Sequence, residues 1–128
     1  MKQFAGLALG VVAGIAIGAA GTHGLRAQGN ERPAYVIAEV EVTDQAGFQE
    51  YSKQVPETLA PYNARYLVRG GKVAAKEGAP PAGRVVVIGF DNMAQAEKWH
   101  DTPPYSELAP LRQKTAKSRV FIVEGEPH

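Results

Sequence analysis

The sequence contains no cysteine, which excludes disulfides, a thiolate nucleophile and every metal or iron–sulfur site built on sulfur ligands. That absence is neutral about compartment, because a disulfide-free domain suits either side of a membrane. An excess of one charge is missing too: 14 basic residues stand against 13 acidic ones, for a net charge of +1. Nucleic acid, which calls for a basic stripe, is therefore not an expected partner, and no charge block marks a disordered tail. Histidine occurs three times and tryptophan once. No serine sits in a nucleophile elbow, and no Ser, His and Asp form a readable triad. What is present, at 45% hydrophobic and 21% charged residues over 128 positions, describes one ordinary globular domain and a non-globular leader.

The leader is residues 1–29. Lys2 precedes an uncharged stretch from Phe4 to Gly21 dominated by small and aliphatic side chains. As a helix, at about 1.5 Å per residue, it spans roughly 27 Å, just short of a bilayer core. One reading is an export signal cut after Ala27, which delivers the domain to the periplasm or the exterior; Leu25 fits the small-residue rule before the cut imperfectly. The other is a retained inner-membrane anchor over 4–21. Gly6, Gly10, Gly14 and Gly18 then line one helix face, a spacing that lets two backbones approach closely. Any membrane contact is expected only through this segment. With Lys2 and Arg26 set aside, 12 basic residues face 13 acidic ones in the domain, residues 30–128.

Within that domain, "AYVIAEVEVT" (34–43) alternates as a strand. Val36, Ala38, Val40 and Val42 form an apolar face; Tyr35, Ile37, Glu39 and Glu41 form a mixed one. Asp44 is placed to cap a helix, along which Phe48, Tyr51, Val55, Leu59 and Tyr62 recur at steps of three and four. Pro56 falls inside that pattern and predicts a kink or a split. "RVVVIGFD" (84–91) reads as a strand, and Asp91 or Asn92 as the cap of a second helical region with Met93, Ala96 and Trp99 inward. Pro103 and Pro104 interrupt it, and a fresh helix turns Tyr105, Leu108 and Leu111 inward. "SRVFIVEG" (118–125) is the last strand.

The order β-α-β-β-α-β predicts an α+β, ferredoxin-like fold, a four-stranded antiparallel sheet with both helices on one face. The other face is then uncovered, yet the strands carry apolar residues on both sides: Val85 and Val87 against Val86 and Ile88, Phe121 and Val123 against Val120 and Ile122. A solvated face is not built so. A homodimer, in which a second copy covers that face to make a dimeric α/β barrel, is the simplest solution.

The segment "RYLVRGGKVAAKEG" (65–78) admits a tight hairpin at Gly70–Gly71 or one long strand, 65–77, bent at the glycines. The long strand is preferred, because "EGAPPAGR" is the stronger loop. Lys72 to Glu77 would then pair with Arg84 to Gly89, leaving Arg65 to Arg69 free to pair across the dimer. A phosphate-cradling loop is disfavoured, since no helix follows the glycines.

Together "AYVIAEVEVTD", "RYLVRGG" with its following "EG", "RVVVIGF" and the terminal "VEG" resemble the domain of unknown function 1330 family over about residues 34–125. The resemblance implies the dimeric α/β-barrel superfamily, whose members include cofactor-free monooxygenases, haem-degrading enzymes, chlorite dismutase-like proteins and muconolactone isomerase. It implies a pocket between sheet and helices or within the barrel, and transfers no catalytic residue. Relatives often carry an aromatic pair where this chain has Trp99–His100, so the histidine is a departure.

The candidate pocket residues are Glu39, Tyr51, Arg65, Arg69, Trp99 and His100. Arg65, Leu67 and Arg69 alternate onto one strand face and Glu39 and Glu41 onto another. If those faces coincide, carboxylates and guanidinium groups meet in the barrel interior. There they would pair with one another to fix dimer register, clamp a ligand carboxylate, or move protons. His100 is the one histidine inside the fold, read as a helix-end residue with a general base or haem ligand as alternatives; without a second ligand at metal spacing it does not make a zinc site. Tyr51, Tyr62, Tyr66 and Tyr105 are core packing or a pocket wall with Trp99. No metal and no cofactor is expected. Two functions follow: a small exported dimeric domain that binds a small organic ligand or serves a structural role, or a cofactor-free monooxygenase or isomerase.

Overall fold

The computed structural model describes residues 31–128, and the expected signal peptide or anchor and its glycine stripe lie outside them. Within Arg32–Glu126 the elements run β1 (Ala34–Val42), α1 (Gln45–Ser52), α2 (Val55–Leu59), a short 3-10 turn (Ala60–Tyr62), β2 (Arg65–Arg69), β3 (Arg84–Phe90), α3 (Met93–Asp101), α4 (Tyr105–Thr115) and β4 (Ala116–Glu124). The strands form one antiparallel sheet in the order β2-β3-β1-β4. This is the expected ferredoxin-like α+β arrangement.

Local chemistry sets the helix boundaries. The Asp44 side chain accepts from the Gly47 amide (3.1 Å) and the Asn92 side chain from the Gln95 amide (2.9 Å), each cap stabilising by about 1 kcal/mol. Pro56 splits the first helical region: α1 ends at Ser52, and α2 begins at Val55 with the proline in its first turn, where the missing N–H costs nothing. After the interruption at Pro103 and Pro104, α4 starts at Tyr105. Its inward residues are Tyr105, Ala109, Arg112 and Thr115, while Leu108 and Leu111 are only half-buried. The amides of Thr43 and Asp44 both donate to the Thr115 carbonyl (2.8 and 3.0 Å), tying the end of α4 to the start of α1. At the other end of the sheet the Gly125 amide donates to the Pro33 carbonyl (2.8 Å), beside the Ala34–Glu124 pair.

The core lies between the helices and one sheet face. Val36, Ala38 and Val40 from β1 and Ile88 and Phe90 from β3 meet Phe48, Tyr51, Val55, Leu59, Ala96 and Trp99. Strand alternation sends Tyr35, Ile37 and Glu39, Val85 and Val87, and Phe121 and Val123 to the opposite face, which no described element covers. Phe121 and Val123 remain 41% and 42% exposed there.

The segment after β2 departs from expectation. The strand stops at Arg69 and pairs with β3 (Arg65 opposite Gly89, Arg69 opposite Val86), so it is not free to pair elsewhere by that edge. Residues 70–83 form no strand, and Lys72 to Glu77 do not pair with β3. The cause is Gly70. Its amide closes the last rung on the Val85 carbonyl (2.9 Å), and its φ of +71° then turns the chain out of the sheet. The bulge exists but lies earlier, between Tyr66 and Val68.

Candidate functional site

That bulge decides where the arginines go. Tyr66 stands opposite Ile88 and Arg69 opposite Val86, both on the helix side, whereas Arg65 stands opposite Gly89 on the open side. Leu67 is the extra residue, against Gly89, so Arg65, Leu67 and Arg69 do not share a face. The expected meeting of carboxylates and arginines fails with it. Glu39 faces the open side and accepts from Arg119 of β4 (2.7 Å), and Glu41 is exposed opposite Lys117.

A cleft of about 30 Å³ opens on the helix side, between the sheet and α1, α3 and α4. Of the six candidate residues, Tyr51, Arg69, Trp99 and His100 line it; Glu39 and Arg65 do not. Its floor is aliphatic, with Val36, Ala38, Val40, Val86, Ile88 and Val120. Arg69 and Arg84 come from the strands and Arg112 from α4, and no Asp or Glu joins them.

The polar groups inside form a chain. Arg112, only 6% exposed, donates through Nη1 to Tyr105 Oη (2.7 Å) and through Nε to Ser118 Oγ (3.1 Å). Tyr105 Oη and Tyr51 Oη lie 2.7 Å apart. Two phenols own two protons, and only one fits between these oxygens. The second has no acceptor among the described hydrogen bonds. Burial pushes the Tyr51 hydroxyl well above the usual phenol range, the Tyr105 neighbour adding to the effect and Arg112 opposing it. Tyr51 is therefore a neutral donor throughout the physiological range.

The rings are fixed around this chain. Trp99 stacks on Tyr105 (centroids 3.9 Å apart, 29° between planes), and its Nε1 donates to Thr58 Oγ1 (2.9 Å). His100 projects from the end of α3 to the cleft, 5.8 Å from the Tyr105 ring, with Nδ1 2.8 Å from Asp101 Oδ1. At the rim, the Arg69 guanidinium lies 4.2 Å over the Tyr66 ring and donates to the Ser52 carbonyl and hydroxyl (3.0 and 3.2 Å). Burial also raises the Tyr66 hydroxyl, against the pull of Arg69.

Tyr105 joins the site as one of the foreseen aromatics; Arg112 and Arg84 were missed. The available signal for Arg112 was its spacing: it follows Tyr105 by seven residues, two helical turns on the same face. Among the described residues no group of three His, Cys, Asp or Glu could hold a metal ion.

The profile of the family described as "Domain of unknown function (DUF1330)" matches residues 33–126. Among solved structures, the methylated RPA0582 protein superposes with a TM-score of 0.62 at 14% identity, covering 82% of this chain and 89% of its own. RPA0582 is also described as a protein of unknown function from Rhodopseudomonas palustris, with a TM-score of 0.56 at 14% identity, covering 84% of this chain and 92% of its own. SnoaB, a cofactor-independent oxygenase from Streptomyces nogalater, superposes with a TM-score of 0.54 at 11% identity, covering 77% of this chain and 96% of its own. Among curated proteins none matches. At such identities these likenesses carry the fold and no more.

Proposed function

The chain belongs to the DUF1330 family, and from that premise we propose that it is a small homodimeric domain of the dimeric α/β-barrel kind, binding a compact organic molecule between its sheet and helices. The observation that carries this reading is the Tyr51–Tyr105–Arg112 chain. It sets a phenolic proton without an acceptor and a buried guanidinium beside an aliphatic floor, the combination of apolar wall and few convergent polar groups that small-molecule sites use. The cleft of about 30 Å³ exceeds the roughly 10–15 Å³ one water needs, so anything larger must displace a side chain. Arg69 is suited to move: it is exposed and held at the rim by Tyr66 and Ser52. The homodimer is supported by the uncovered apolar sheet face.

The test uses Trp99, the only tryptophan of the chain, as a reporter on the cleft. Titration with panels of small aliphatic and aromatic compounds is expected to change its emission saturably for at least one class. The midpoint of thermal unfolding should rise by the amount linkage requires. A flat response to every class would remove the pocket reading and leave a structural role.

A second reading is turnover without a cofactor. It is favoured by the same donors, which suit an oxygen atom that gains negative charge during reaction, and by the likeness to SnoaB, a cofactor-independent oxygenase. Its signature is oxygen uptake, with no flavin, haem or metal added, for a compound that binds.

A further inference from the structure

We infer that the ligand of this cleft is an anion, a small organic carboxylate with an apolar body, and this rests on the pocket reading above. A guanidinium removed from water is costly unless an anion or a full set of acceptors replaces its hydration. Arg112 is almost wholly buried, yet its partners are two neutral hydroxyls, Tyr105 and Ser118. None of the ion pairs seen among the described residues, Lys53–Glu50, His100–Asp101 and Arg119–Glu39, involves it.

Its neighbours add to the imbalance. Arg69 and Arg84 line the same cleft and belong to none of those pairs either. Arg69 is turned inward only because of the bulge at Leu67; regular alternation from Arg65 would have sent it to the open face, the side of Glu39. Arg84 lies with its guanidinium 5.6 Å from the Phe48 ring. Three cations from three separate elements converge on a space lined by no acid, in a chain whose overall charge is balanced. The spare phenolic proton adds to the donors, and the three guanidinium groups favour negative charge. The aliphatic floor selects against a bare inorganic ion and for a carboxylate on a hydrocarbon body. Guanidinium suits a carboxylate because its planar fork matches the two oxygens.

The experiment is a titration of the full chain followed by Trp99 emission, at fixed ionic strength. Propionate is compared with propionamide, and cyclohexanecarboxylate with its amide. The acids are expected to bind about tenfold or more tightly than the matched amides, the scale of a charge-assisted hydrogen bond. Arg84→Gln, at a half-buried rim position, should narrow that preference severalfold while the fold, read by circular dichroism, is kept. Arg112→Lys should retain part of the preference and Arg112→Gln abolish it. If Arg112→Gln fails to fold, Arg84→Gln and Arg69→Gln carry the test. Amides that bind as well as acids would overturn the anion inference and leave the pocket reading standing. No saturable change with either class would overturn both.

Discussion

Tyr51 couples the cleft to stability through its proton. Its hydroxyl holds that proton well above the usual phenol value because it is buried against Tyr105, whereas in the unfolded chain a tyrosine ionises near pH 10. Below about pH 10 both states are protonated and the contribution is fully present. Above it the unfolded chain releases the proton and the native state does not, so stability falls as pH rises. The melting temperature should therefore drop between about pH 10 and 11.5, and Tyr51→Phe should flatten that slope. It should not erase it, since burial also raises Tyr66. Melting curves across that range, with phenolate absorbance as a second readout, check this; an unchanged slope in the variant would remove Tyr51 from the account.

At the scale of elements, β2 carries the most consequence for its size. Its extra residue, Leu67, sits between rungs that are otherwise in register, so that Tyr66 and Arg69 both face the helices. Deleting Leu67 should leave Tyr66, Val68 and Arg69 in plain alternation on the same sides, a rare case of a strand deletion with little cost. Deletion of Val87 in β3, which is paired on both sides, should reverse the facing of the residues beyond it and prevent folding. Circular dichroism and thermal melts of the two deletions compare them, and similar behaviour would contradict the bulge assignment. The same strand marks where the sequence stops being legible. Alternation disclosed both faces of β1, β3 and β4, and the spacing of Phe48, Tyr51, Val55 and Leu59 disclosed the buried side of α1 and α2. A bulge without glycine leaves no mark, since "RYLVR" alternates on paper, and the Gly70–Gly71 pair drew attention three residues too late. Arg112 was marked only by its seven-residue spacing from Tyr105. An arginine in a helix reads as solvated, and only the fold reveals that Tyr105 and Ser118 wait for it inside.

For the whole molecule, the sheet divides two tasks. Its helix side holds the core and the cleft; its other side presents Leu67, Val68, Phe121 and Val123, each between 39% and 45% exposed. A second copy laid on that side would remove them from water, at about 25 cal/mol for each Å² of apolar area covered, with Glu39 and Arg119 as a charged pair on the same surface. Phe121→Glu should raise the dimer dissociation constant by about a hundredfold without lowering the helical signal. Sedimentation over a dilution series measures it. A native chain that sediments as a single subunit at micromolar concentration would refute the dimer.

The bond from the Gly125 amide to the Pro33 carbonyl has a mechanical side. The backbone enters the sheet and leaves it at adjacent points, at the same end of β1 and β4, which run antiparallel. Tension applied to both points does not shear that ladder but opens it rung by rung from Ala34–Glu124 inward, so each step loads few bonds at a time. Pulling between these two points is thus expected to open the β1–β4 ladder at low force.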